Sequence, residues 1–90
     1  MEKAIITVVG KDQVGIISRI CSYLADQNIN ILDISQTILD GYFNMMMIVD
    51  NTHAKSSLDM MSHDLETIGN ELGVVAKIQH ENIFAKMHRI

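Results

Sequence analysis

The spacing of hydrophobic residues changes several times along the chain, and these changes permit few folds. From Ala4 to Val9 the hydrophobic residues are nearly consecutive, which is typical of a strand buried on both faces. From Val14 they recur every three or four residues, as on one side of a helix. Another strand pair, a second helix and a fourth strand follow in the same way. The spacing therefore predicts the order β-α-β-β-α-β.

The helix limits can be predicted from polar and glycine residues. Asp12 is a candidate N-cap of the first helix, and Asn28 a candidate left-handed stop. Ser56 or Ser57 can cap the second helix, and Gly73 can end it. The predicted buried stripe of the first helix is Val14, Ile17, Cys21 and Leu24 with Ile20 beside it, and that of the second is Leu58, Met61, Leu65, Ile68 and Leu72.

The middle strands differ in how fully they are expected to be buried. Ile31 to Leu39 alternates, with Leu32, Ile34 and Ile38 on one face and Asp33, Ser35 and Thr37 on the other, as in an edge strand with one wet face. Asp40-Gly41 predicts a hairpin turn. Phe43 to Val49 is apolar on nearly both faces and is predicted to be central, whereas Val74 to His80 alternates.

Two central and two alternating strands in this order predict a ferredoxin-like α+β sandwich. The expected antiparallel sheet has the strand order 4-1-3-2, with both helices on one face. Met46 and Ile48 would then project from the uncovered face and require a cover. We expect one domain over residues 1–80 and a short helical tail over residues 81–90. The tail has Ile83, Phe84, Met87 and Ile90 at helical spacing, so it must dock to be stable.

Composition argues against several classes of function. The single cysteine cannot form an internal disulfide, which favours a cytoplasmic location. No apolar run approaches the roughly 18 residues of a membrane span, so no membrane partner is expected. The net charge of −4 and the 4% aromatic content disfavour nucleic-acid binding. The four histidines lack zinc-type spacing, and no convergent catalytic set is evident, so we expect no metal, no cofactor and no enzymatic activity.

The loop from Gly10 to Gly15 is the most informative segment. Its glycine spacing matches the first part of a P-loop, but Ile16 and Ile17 replace the residues that handle phosphate and Mg²⁺, which excludes a nucleotide site. A helix N-terminus can bind a carboxylate, Asp12 can face an ammonium group, and Gly15 permits close approach. These features suit a small amino acid. The alternative is that Asp12 only caps the helix and Gly15 only permits tight packing.

The same loop carries a resemblance to a known family. A strand, then Gly-Lys-Asp-Gln-Val-Gly-Ile from Gly10 to Ile16, a helix, and Asn-Ile-Leu from Asn30 together resemble the ACT domain over about residues 3–79. The family often has Asp-Arg-Pro-Gly-Ile in this loop; here Gln13 and Val14 replace the Arg-Pro pair. The tail resembles the ending of small stand-alone ACT proteins of unassigned function.

The resemblance implies a regulatory module that binds an amino acid at a dimer interface. The ligand would lie between the first loop of one subunit and the start of the second strand of the other. The implied ligand-binding residues are Gly10, Lys11, Asp12, Gln13, Val14, Gly15, Ile16, Asn30 and Ile31. Apart from the resemblance, the uncovered face of the sheet and the tail predict the interface residues Asp33, Met46, Ile48, Ile83, Phe84 and Met87. We expect a homodimer that acts in trans on a partner enzyme or regulator, because 90 residues leave no room for an effector domain. A structural interaction module without a small ligand is the alternative.

Overall fold

The computed structural model describes residues 1–81. Its elements are β1 (Lys3–Lys11), α1 (Ile16–Asp26), β2 (Asn30–Leu39), β3 (Tyr42–Asp50), α2 (Leu58–Leu72) and β4 (Val74–His80). The strands form one antiparallel sheet in the order β2-β3-β1-β4. The predicted ferredoxin-like topology is therefore confirmed.

The core lies between the two central strands and the helices. Ala4, Ile6 and Val8 of β1 and every second residue of β3 from Phe43 to Val49 point to this side and are buried. The opposite face carries Met46 and Ile48, as the strand parity predicts. We call this opposite side the open face.

The first helix buries only part of the predicted stripe, since Ile20 and Leu24 are buried as expected. Its buried residues are Ile16, Ile20, Tyr23 and Leu24. Val14, which the spacing placed on the buried side, precedes the helix and is 100% exposed. Ile17 is exposed and Cys21 is half-buried, so they lie beside the buried stripe. The prediction was wrong for Val14 because the helix starts only at Ile16, after the left-handed Gly15.

The second helix follows the predicted pattern. Met61, Leu65 and Ile68 are buried. The Ser57 hydroxyl accepts a hydrogen bond from the Met60 N–H at 3.2 Å, so Ser57 rather than Ser56 is the cap. Gly73 ends the helix with φ of 73°, as expected for a left-handed C-cap.

Ser57→Ala is expected to lower the free energy of unfolding by about 1 kcal/mol, because the Met60 N–H loses its side-chain acceptor. Urea denaturation at fixed protein concentration measures the change. Ser56→Ala is the matched control, since Ser57 is the residue that caps α2. Equal losses in the two variants would contradict the capping role of Ser57.

One hydrogen bond between side chains joins the two helices. The Tyr23 hydroxyl donates to Asp64 Oδ2 at 2.7 Å. Burial of Tyr23, together with this hydrogen bond and the negative charge of Asp64, raises the pKa of the phenol above its usual range. Tyr23 therefore stays neutral and tethers α1 to α2.

The edge strand β2 departs from simple alternation. A register shift between Ile31 and Asp33 makes Leu32 an extra residue, as in a β-bulge. Beyond it, Ile34 and Ile38 pair with Met47 and Phe43, so they point to the helix side of the sheet. They are nevertheless 43% and 58% exposed. Because of the bulge, Leu32 does not continue the alternation of Ile34 and Ile38, contrary to expectation. The exposure of Ile34 and Ile38 shows that the helices leave the helix side of β2 uncovered.

Candidate functional site

The predicted ligand loop begins at one end of the central strand β1. Gly10 and Lys11 are the last residues of β1, and Lys11 lies opposite Tyr42 at the start of β3. A Cβ atom on Gly10 would lie 2.6 Å from Val74 Cγ1, so β4 requires a glycine here. The structure thus gives Gly10 a packing role.

Two hydrogen bonds hold the loop against neighbouring turns. The Asp12 N–H donates to the carbonyl of Gly41 in the β2–β3 turn at 3.0 Å. The Gln13 Nε2 donates to the carbonyl of Leu72 at the end of α2. The loop is therefore held both by the β2–β3 turn and by the end of α2. The side chain of Gln13 already has a hydrogen-bond partner within the protein.

The N-terminus of α1 has no side-chain cap. Gly15 is the N-cap residue, with φ of 97°. The expectation that Asp12 caps the helix is therefore wrong, because the left-handed glycine places the helix start three residues later. A Cβ atom on Gly15 would have no neighbour within 4 Å, so the backbone faces open space. Amide N–H groups in the first turn of such a helix can donate hydrogen bonds to an anionic ligand.

The remaining loop side chains divide between solvent and core. Lys11, Asp12 and Val14 are exposed, whereas Ile16 is buried in the core. The structure thus provides an exposed carboxylate, that of Asp12, beside an uncapped helix start. The negative charge of Asp12 and the partial positive charge of the helix start are the chemical basis of the candidate site.

The other two predicted ligand residues lie at the far end of the sheet. Asn30 pairs with Asp50, whereas Lys11 pairs with Tyr42, eight residues away along β3. At about 3.4 Å per residue this separation is roughly 27 Å. A single chain therefore does not bring Asn30 and Ile31 together with the loop.

The predicted interface residues fall into two groups. Met46 is 44% exposed and Ile48 is half-buried on the open face. Asp33 lies on the same face opposite Ile48, and its Oδ1 accepts a hydrogen bond from the Ile34 N–H at 2.9 Å. The predicted tail contacts of Ile83, Phe84 and Met87 lie outside the described residues.

The sequence interpretation missed an apolar strip on the helix side of β2, formed by Ile34 and Ile38, which are both exposed. The alternation of β2 did indicate that Ile34 and Ile38 share one face. We expected only the opposite, polar face of this strand to be exposed to water. We call this set the β2 strip.

Within residues 1–81, no three His, Cys, Asp or Glu side chains are grouped so that they could hold a metal ion. Neither helix in this part of the chain is long and apolar enough to cross a membrane.

Comparisons with known proteins agree with this fold. The chain is 60% identical over 90 residues to a UPF0237 protein of Bifidobacterium longum, covering 100% of both chains. An ACT domain protein from Streptococcus pneumoniae has a solved structure that superimposes with a TM-score of 0.81 and 43% identity, covering 92% of this chain and 93% of that one.

A more distant likeness concerns the fold alone. A formyltetrahydrofolate deformylase from Pseudomonas syringae superimposes with a TM-score of 0.82 at 22% identity, and the match covers 89% of this chain but 28% of the deformylase. The family model of the ACT domain, a regulatory ligand-binding module, matches residues 2–79. This chain therefore belongs to the ACT domain family.

Proposed function

We propose that the protein is a non-catalytic regulatory module that binds an amino acid between two copies of the chain and acts in trans on a partner enzyme or regulator. The observation that carries the proposal is the separation of the two parts of the candidate site. The loop at Asp12–Ile16 and the residues Asn30 and Ile31 lie at opposite ends of the sheet. A second copy can bring them together.

A two-fold pairing of the β2 edges has the required geometry. In an antiparallel pair, the end of β2 in one copy lies beside the start of β2 in the other. The Asp12 loop is hydrogen-bonded to the turn that follows β2, so it is at the correct end. The start of the partner's β2, with Asn30 and Ile31, would therefore approach the loop of the first copy.

The exposed apolar residues support the same pairing. The β2 strip lies on the helix side of the edge strand, where the chain's own helices leave it uncovered. Covering these two side chains would contribute about 1–3 kcal/mol before the entropic cost of association, given their partial burial in one copy. The same strip would provide a contact between the two copies next to the ligand loop.

The charges at the loop favour a zwitterion as the ligand. The first turn of α1 contains no acidic residue and has no side-chain cap, so its N–H groups favour a carboxylate. The exposed Asp12 carboxylate favours an ammonium group. An α-amino acid carries both groups, whereas a simple anion would meet the negative charge of Asp12.

The alternative is an interaction module without a small ligand, since the β2 strip alone can support assembly. Thermal melts with each amino acid separate the two. A ligand at about 100 times its dissociation constant stabilises the folded state by about 2.7 kcal/mol. A flat response to every amino acid would contradict the ligand proposal and favour the alternative.

Gly15→Ala is expected to remove the stabilisation by the active amino acid, because the new methyl group occupies the open space beside the loop. The change should cost about 1 kcal/mol of stability, since alanine disfavours a positive φ. Gly73→Ala is the matched control: its φ is 73°, its Cβ also meets no atom within 4 Å, and it lies in the α2–β4 turn. Asp12→Ala should weaken the response at little cost in stability, because Asp12 is not a cap. A normal response in both loop variants would place the ligand elsewhere.

A further inference from the structure

The second edge of the sheet, β4, lies beside a groove. Within residues 1–81, β4 pairs with β1 alone, and its register runs without a bulge. Ser62, Glu66 and Asn70 stand one helical turn apart on α2 and line the groove together with β4. The cavity between them has a volume of about 480 Å³.

The groove combines an apolar floor with a regular strand. Val74, Ala76 and Ile78 are buried towards α2, whereas Val75 and Lys77 are exposed on the open face. In an edge strand, alternate residues direct both N–H and C=O away from the sheet, so roughly three of the seven residues of β4 can pair with another strand. An extended segment could therefore find backbone partners and side-chain contacts along the same line.

We propose that an extended segment of a partner protein adds to β4 as a fifth strand. Side chains on an added strand alternate between the two faces of the sheet. The side chains on the helix side would contact Ser62, Glu66 and Asn70 of α2. The negative charge of Glu66 favours a lysine or arginine there. The residue opposite Lys77 points to the open face, where an acidic side chain is favoured. The ligand of this groove is thus a strand with a cationic and an acidic residue at successive positions.

Charge makes a second copy of the chain a poor occupant. The ionisable side chains of α2 are His63 and four acids, namely Asp59, Asp64, Glu66 and Glu71. A two-fold pairing of β4 with β4 would place the two Glu66 rows next to each other, and like charges at an interface oppose association. A strand on β4 would not compete with assembly through β2, because β2 and β4 are opposite edges of the sheet.

The test uses the peptide acetyl-Thr-Val-Lys-Glu-Lys-Val-Thr-amide and its charge-reversed form with Glu-Lys-Glu at the centre. The peptide is titrated into the ¹⁵N-labelled full chain and followed by NMR. We expect saturable shifts of amide signals from β4 and from residues 62–70, and slower hydrogen exchange of the outward N–H groups of β4. The charge-reversed peptide should bind more weakly by about threefold or more.

Glu66→Lys should invert this preference, because the exposed side chain then repels the cationic peptide and attracts the reversed one. Asp26→Lys makes the same change in net charge at the exposed last residue of α1, outside the groove, and should leave the preference unchanged. Shifts that fall on β2, an equal response to both peptides, or an unchanged preference in Glu66→Lys would overturn the proposal. So would protection of the β4 edge that rises with protein concentration in the absence of peptide, since a second copy would then be the occupant.

Discussion

Gly69→Ala is expected to lower the free energy of unfolding by about 2 kcal/mol, although alanine normally stabilises a helix interior relative to glycine by about 1 kcal/mol. The reason is the close contact of α2 with β4. A Cβ atom on Gly69 would lie 2.6 Å from the carbonyl oxygen of Val74 and 3.3 Å from the amide nitrogen of Ala76. Both are backbone atoms, so the helix has to move away from the strand.

Urea denaturation at a fixed protein concentration measures this change. Asn70→Ala is the matched control, because Asn70 is the next residue of α2 and is exposed. It should raise stability by a few tenths of a kcal/mol through helix propensity. A Gly69→Ala variant more stable than the wild type would show that α2 and β4 are not in the contact described above.

Ile34→Lys is expected to weaken self-association by about 100-fold or more, because a two-fold interface would contain the new charge twice. We expect the wild type to be a dimer at micromolar concentration in sedimentation equilibrium, and the variant to be a monomer. The variant should keep the wild-type circular dichroism spectrum, since Ile34 is exposed in the single chain.

Two further variants identify the surface that forms the interface. Met60→Lys introduces the same charge at a residue of α2 that is 56% exposed and should leave the dimer intact. Met46→Lys tests the open face, which the sequence also predicted as a contact. A monomeric wild type, or dissociation caused by Met60→Lys as readily as by Ile34→Lys, would contradict assembly through β2.

The sequence predicted the strand order and α2 because these depend on strong hydrophobic periods. The start of α1 was missed for a physical reason. Val14 and Ile17 have the correct spacing for a buried stripe, but Gly15 adopts a left-handed conformation that resets the direction of the chain before the helix begins. The spacing of hydrophobic residues does not reveal such a change in backbone direction.

The site was less predictable than the fold. Resemblance grouped Asn30 with the loop, yet the strand register separates them within one chain. The alternation of β2 suggested which side chains share a face, but the bulge after Ile31 changes the phase. That the helices leave Ile34 and Ile38 exposed depends on the positions of α1 and α2 above the sheet, which no local pattern specifies.

The strand order β2-β3-β1-β4 determines how many partner strands a dimer could bind. If two copies join through β2, their eight strands form one sheet and the two β4 strands become its outer edges. With neighbouring strands about 4.8 Å apart, these edges would be roughly 34 Å from each other. The dimer would then have two binding sites for added strands. A partner with two matching segments would bind more tightly, because its second contact would be intramolecular once the first had formed. An amino acid that strengthens the dimer would thereby increase capture of such a partner without touching its binding groove.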